Sequence, residues 1–154
     1  MKVLVLGGSS GFLGSHLKKK LKDPIQCEFV SMRDLSWSKE NFPTDCIINL
    51  VGKAHDFTGK ATEEDFFFAN FELAKKAFSI FISSQAKLFI HISSLAAIEE
   101  VESAKSLSEN ANYNSVSPYG RSKQAAEEWL LSQKITCRQE IDYLASAHGA
   151  WRRR

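Results

Sequence analysis

A short aliphatic run, Val3-Leu4-Val5-Leu6, breaks directly into Gly8-Ser9-Ser10-Gly11-Phe12-Leu13-Gly14, and nothing else in the chain limits its fold as strongly. A continuous β-branched and aliphatic run predicts a strand buried on both faces of a parallel sheet. Apolar residues at Phe12, Leu13, Leu17 and Leu21 then predict a helix, ended by Asp23-Pro24. The turn between them needs backbone torsions closed to residues with a Cβ, and glycine also lets an anion approach the main chain. The helix start offers free N–H groups and the positive end of its dipole. A turn of this kind at a strand–helix junction suits the pyrophosphate of a dinucleotide.

The remaining chain alternates in the same manner. Ile25 to Met32 reads as a second strand, and the polar stretch from Arg33 to Thr44 has room for one short helix. Cys46 to Val51 predicts a third buried strand, closed by Gly52. From Glu63 to Ser84 runs a long helix with six of the eleven phenylalanines, spread too widely for one stripe and therefore expected to be buried on more than one side. Lys87 to Ile92 is a fourth strand, and Ser93 to Ser117 a long loop. Ser117-Pro118 supplies an N-cap and first-turn proline for a helix through Gln133. This order predicts a doubly wound, Rossmann-like α/β fold with a parallel sheet.

Composition excludes several other classes. With 154 residues and 44% apolar content the chain can bury one core, and 25% charge with 11% aromatics argues against disorder. The net charge of +2 depends on Arg152, Arg153 and Arg154, so no nucleic-acid partner is expected. Cys27, Cys46 and Cys137 lie too far apart for a metal site or a disulfide framework, which points to a reducing compartment. The opening apolar run is too short for a signal peptide, and no segment approaches the ~18 apolar residues of a membrane span. A soluble, cytoplasmic protein with no membrane partner is expected.

Two further groups carry chemistry. Tyr119 and Lys123 stand four residues apart, on one face of the helix that opens at Pro118. A phenol near pKa 10 is a poor base at neutral pH, but a lysine cation and a helix N-terminus both favour its phenolate. Such a tyrosine can take a proton from a substrate hydroxyl. Ser93-Ser94 ends the fourth strand, at the sheet edge where ligand-binding groups gather, and a hydroxyl there can bind the same substrate oxygen. At the end of the second strand, Asp34 suits a ribose 2′-hydroxyl and Arg33 a 2′-phosphate, which leaves NAD and NADP both open.

Taken in order, Gly8-x-x-Gly11-x-x-Gly14, Asn49-Leu50-Val51-Gly52, Asn70, His91-Ile92-Ser93-Ser94 and Ser117-Pro118-Tyr119-Gly120-Arg121-Ser122-Lys123 resemble the extended short-chain dehydrogenase/reductase family. The likeness is to its NAD-dependent epimerase/dehydratase branch and covers residues 1 to about 133. The resemblance implies that Tyr119 is the catalytic acid/base, that Lys123 lowers its pKa and holds the nicotinamide ribose, and that Ser94 binds the reacting hydroxyl. Ser94, 25 residues ahead of Tyr119, has the family spacing, and Ser93 is the weaker candidate. The implied NAD contacts are Gly8, Gly11, Phe12, Leu13, Gly14, Arg33, Asp34, Leu50, Val51, Gly52, Asn70 and Lys123. The implied activity is epimerisation or dehydration of a nucleotide-activated sugar, such as a UDP-sugar 4-epimerase performs. A reductase and a catalytically inactive dinucleotide-binding module are the alternatives. Family members also pair through the helices matching residues 63–84 and 118–133, which would explain the phenylalanines there.

Some residues depart from the pattern. Val51 stands where the family has alanine, which would narrow the adenosine pocket, and the segment before Cys46 is reduced. His16, His55 and His91 read as packing or surface residues, and Glu109 as a solvated loop residue. The reading assigns residues 1–133 to the dinucleotide-binding domain and 134–154 to a tail unlike the family, with no substrate domain after it. Codons allowed for Glu140 to Arg152, read one nucleotide out of frame, can spell K-L-I-I-x-R-P-x-M-V-H-G-E, similar to the family's next strand, which suggests a frameshift. On this reading the fourth strand is left as an open edge.

Overall fold

The computed structural model describes residues 1–8, 10–32, 43–56, 59–98, 113–135, 140–145 and 150–153. Arg33, Asp34, Glu109, Cys137 and the short helix expected before Thr44 lie outside the described residues or largely so. The described strands are β1 (Lys2–Leu6), β2 (Gln26–Val30), β3 (Cys46–Asn49), β4 (Leu88–Ser93), β5 (Glu140–Ala145) and β6 (Ala150–Arg153). They form one sheet in the order β2-β1-β3-β4-β5-β6. The first five run parallel, and β6 returns antiparallel to β5. The chain thus passes from β1 to β2 on one side and crosses to β3 on the other, the reversal that defines a doubly wound Rossmann-like sheet.

Helix α1 (Phe12–Lys20) follows β1, and α4 (Pro118–Ser132) follows β4 and the short 3₁₀ turn Leu95–Ala97. The long phenylalanine-bearing helix is α2 (Glu63–Phe67), a π-helical turn (Phe68–Glu72) and α3 (Leu73–Ile82) in succession. Thr62 caps it through a reciprocal bond with Asp65, and Ser117 caps α4 by accepting the Gly120 N–H at 3.0 Å.

Strand alternation divides the core. Leu4, Leu6, Ile47 and Phe89 pack with Ala77, Phe78 and Phe81 of α3, Leu130 of α4 and Ile141 of β5. Val3, Val5, Cys46 and Ile48 form a smaller cluster of their own. Phe81 and Phe89 are fully buried with ring centroids 5.3 Å apart, and Phe78 meets Trp129 edge-on at 5.6 Å. Phe66 of this helix meets Tyr119 of α4, while Phe78 and Phe81 face the sheet. Phe68 remains 60% exposed, because the face opposite the sheet has no described element over it.

The expected open edge at β4 is corrected. β5 pairs with β4 in parallel over six residues, from Leu88↔Glu140 to Ser93↔Ala145. A parallel edge presents unpaired N–H and C=O groups, and the Ile141-Asp142-Tyr143-Leu144 run has the β-branched and aromatic content to take them up. Ile141, 3% exposed, joins the larger core cluster. Among the described residues no helix is long and apolar enough to cross a membrane.

The α3–sheet contact carries much of the core. Phe81→Ala is therefore expected to lower unfolding free energy by about 3–5 kcal/mol, checked by urea denaturation followed by circular dichroism.

Candidate active site

The carboxyl ends of β1 and β3 lie side by side at the point where the strand order reverses, and the sequence places its glycines there. Gly7 and Gly8 both adopt left-handed torsions, with φ of 76° and 67°. A Cβ on Gly7 would stand 2.7 Å from Val51 Cγ2, and one on Gly8 2.9 Å from Leu50 Cδ1. The turn after β1 therefore packs against the loop after β3, and only glycine fits at both positions. Val51 spends its extra bulk, relative to alanine, in filling the space over Gly7.

Gly11 is the N-cap of α1 and has no side chain to satisfy the first-turn N–H groups. Phe12 and Leu13 are exposed there, at 76% and 41%, while Gly14 is buried. The start of α1 thus presents uncapped donors and the positive end of the dipole beside a glycine turn, an arrangement suited to a phosphate group.

The second half of the site is built around α4. Lys123 is only 5% exposed and donates from Nζ to the Ile92 carbonyl at 2.7 Å. Its ammonium lies 3.5 Å from where a Cβ on Gly52 would stand, so α4 reaches the loop after β3. Burial lowers its pKa to about 8, and the charge of Glu127 acts in the opposite direction. Beneath it, His91 is fully buried and shares a 3.0 Å hydrogen bond between Nδ1 and Asn49 Nδ2. Burial first, and the Lys123 charge second, hold this imidazole well below the ordinary histidine range, so it stays neutral. Asn49 also accepts the Val51 N–H at 3.1 Å, which fixes the loop at the switch point.

Asn70 sits in the π-helical turn and is fully buried. Its Oδ1 accepts the Lys53 N–H at 2.7 Å, and its Nδ2 donates to the Lys53 carbonyl at 3.0 Å and to Ser122 Oγ at 2.9 Å. Ser122 donates in turn to the Tyr119 carbonyl at 2.7 Å. Tyr119 is half-buried, with its ring 6.4 Å from that of Phe66. Arg121 pairs with Glu63 at 2.9 Å, a second tie between α4 and α2.

The two serines after β4 differ in role. Ser93 is 2% exposed and donates to Glu127. Ser94 is half-buried and accepts the Ala96 N–H at 3.3 Å, capping the 3₁₀ turn. Of the pair, Ser94 is the one not enclosed. The sequence reading missed Gly7, Ser122 and Glu127. The adjacent Gly7-Gly8 pair is a visible signal, whereas a serine and a glutamate on a helix carry none by themselves. His16 is exposed and bonded to the Phe12 carbonyl at 2.8 Å, and His55 is exposed, both away from the role of base.

A parallel sheet with a glycine turn at its switch point and a Tyr–Lys helix against the neighbouring loop defines a dinucleotide-binding α/β protein of the Rossmann type. The chain belongs to the NAD dependent epimerase/dehydratase family, whose model matches residues 3–139. No curated protein sequence matches it significantly. Among solved structures it is similar to a UDP-glucuronic acid 4-epimerase from Bacillus cereus in complex with NAD, at 20% identity and a TM-score of 0.73, over 94% of this chain and 56% of that one. It is also similar to a short-chain dehydrogenase/reductase superfamily protein from Agrobacterium tumefaciens with bound NAD, at 17% identity and a TM-score of 0.76, covering 94% and 48% respectively. A dTDP-4-dehydrorhamnose reductase from Clostridium acetobutylicum gives 21% identity and a TM-score of 0.70, covering 97% and 55%. The chain spans about half the length of these solved neighbours.

The buried lysine makes stability depend on pH. Because folding lowers its pKa from the ordinary 10.5 to about 8, the unfolded chain holds a proton that the folded chain has lost between those values. The cost of burying the charge is full below pH 8 and is relieved as pH rises. Relative to Lys123→Met, the parent protein should gain on the order of 3 kcal/mol between pH 8 and 10.5, read from denaturation curves of both proteins across that range.

Proposed function

We propose that this chain binds NAD at the switch point and presents Tyr119, Lys123 and Ser94 to a nucleotide-activated sugar, as part of an epimerase or dehydratase. The observation that carries the reading is the buried Lys123 ammonium, held by the Ile92 carbonyl and set against Gly52. It brings the helix of Tyr119 to the loop beside the glycine turn. Gly8, Gly11, Phe12, Leu13 and Gly14 would hold the pyrophosphate, with Leu50, Val51 and Gly52 beside the adenosine and nicotinamide portions, and Asn70 supporting that loop.

Bound nicotinamide supplies a hydride acceptor and donor. The chain's own residues manage the proton. Tyr119 removes it from a sugar hydroxyl, Ser94 hydrogen-bonds the same oxygen, and Lys123 stands one turn further along the same helix face. NAD-bound neighbours support NAD over NADP, and the UDP-glucuronic acid 4-epimerase supports a UDP-sugar.

The alternative reading is a dinucleotide-binding module without turnover. Calorimetry with NAD+ and NADP+, followed by assays with UDP-sugars, separates the two. The first reading expects NAD+ binding and turnover that falls about 10²–10⁴-fold in Tyr119→Phe, with NAD+ affinity kept. Binding without turnover selects the module, and absence of binding rejects both.

We also propose that two chains pair through the helices of residues 63–84 and 118–133. Phe68 and Ile82, 60% and 46% exposed on that helix, favour this arrangement. Sedimentation velocity should show a dimer that Phe68→Glu shifts toward monomer.

A further inference from the structure

We infer that Glu127 is a positioning residue of this site, whose single buried carboxylate ties both ends of the excursion between β4 and α4 to the helix turn that follows Lys123. The inference rests on the catalytic reading of Tyr119, Lys123 and Ser94 given above, and adds a residue to it.

Glu127 lies one helical turn beyond Lys123 and is 3% exposed. A carboxylate is seldom buried unless its oxygens are occupied, and here each receives a hydroxyl. Ser93, the last residue of β4, donates to Oε1, and Tyr113 donates to Oε2 at 2.9 Å. The two donors bracket the long excursion between β4 and α4. Ser93 immediately precedes Ser94, and Tyr113 stands on the returning chain six residues before Tyr119. One carboxylate thus fixes where the excursion leaves the sheet and where it comes back.

The third tie is electrostatic. The negative charge of Glu127 acts on Lys123 and favours its ammonium against the burial that opposes it. The other groups facing that ammonium do not replace this charge. From β4 come neutral His91 and the Ile92 carbonyl, and the loop after β3 brings Gly52, beside Asn70 of the π-helical turn. Among the described groups around Lys123, Glu127 supplies the anion. A glutamate serving only to fill space would need neither the two hydroxyls nor this placement.

The experiment is a titration of the full chain without ligand. Lysine side chains are labelled with ¹³C at Cε and followed by NMR from pH 6 to 11, with the Lys123 signal assigned by its loss in Lys123→Arg. Glu127→Gln keeps the shape and removes the charge, and should lower the Lys123 midpoint by roughly one pH unit. Glu127→Asp, which restores the charge, should bring it back to within a few tenths of a unit of the parent. An unchanged midpoint in folded Glu127→Gln overturns the inference.

Should that variant not fold, Tyr113→Phe decides the matter through hydrogen exchange. The inference expects amides of residues 113–117 to exchange roughly fivefold faster with the Lys123 midpoint kept, and unaltered exchange overturns it. Neither readout requires NAD+ to bind, so a failure of the dinucleotide reading and a failure of this one are seen separately.

Discussion

A lysine ammonium taken out of water is among the most expensive things a fold can contain, and this one organises its surroundings around that cost. Lys123 is 5% exposed, and its Nζ reaches the Ile92 carbonyl at 2.7 Å. That bond exists only if α4 lies across the carboxyl end of β4. Once it does, Tyr119 stands one turn earlier on the same face of α4, and Ser94 lies two residues past the carbonyl that holds the ammonium. An apolar side chain would pack here at less cost. A charge kept in such a place points to chemistry, and it makes the geometry of the tyrosine a consequence of the geometry of the lysine.

The loop after β3 is held by a different device. Asn70 bonds both the N–H and the carbonyl of Lys53, and with its remaining N–H it reaches Ser122 on α4. Its Oδ1 would lie 2.8 Å from a Cβ on Gly52, so that glycine is required by close approach and not by its torsion. The helix carrying Asn70 widens to a π-helical turn at Phe68–Glu72, where one extra residue changes which side chains face inward. Asn70 is thereby turned inward on a helix that also buries Phe78 and Phe81 against the sheet. A single amide thus joins the loop after β3, the π-helical turn and α4.

How much of this could be read beforehand follows from the kind of signal each residue gives. Strands β1, β3 and β4 are short, mainly apolar runs, and that apolar content announces them wherever they fall. Lys123 and Tyr119 share a helix, so spacing alone places them on one face. Gly52, Asn70 and Ser122 meet across three separate elements, while Glu127 meets Ser93 and Tyr113 from outside its own helix, and no periodicity links these residues. Ser122 and Glu127 have the composition of a solvated helix face and are buried because of what lies opposite them. The strand β5 was hidden for another reason. Its apolar run is short, and what draws it into the sheet is the unpaired backbone edge of β4, which lies far from it in sequence.

The glycine turn holds a distinction that neither the motif nor the fold supplies alone. Gly7 and Gly8 are explained from within: their torsions are left-handed, and a Cβ on either would collide with Val51 or Leu50. Gly11 has no such reason. Its φ of −79° and ψ of 170° are open to any residue, and among the described residues a Cβ there would meet the Gly8 carbonyl oxygen at 3.7 Å and its Cα at 3.9 Å, ordinary contacts. As the N-cap of α1 it is also a slightly poorer choice than serine or aspartate, either of which would satisfy a first-turn N–H. The fold alone would therefore favour another residue at position 11. What a side chain would obstruct is the approach from outside to the uncapped N–H groups of α1, between exposed Phe12 and the turn of Gly7 and Gly8. A glycine that the backbone does not require, at the positive end of a helix, leaves that end open to a close approach by an anion.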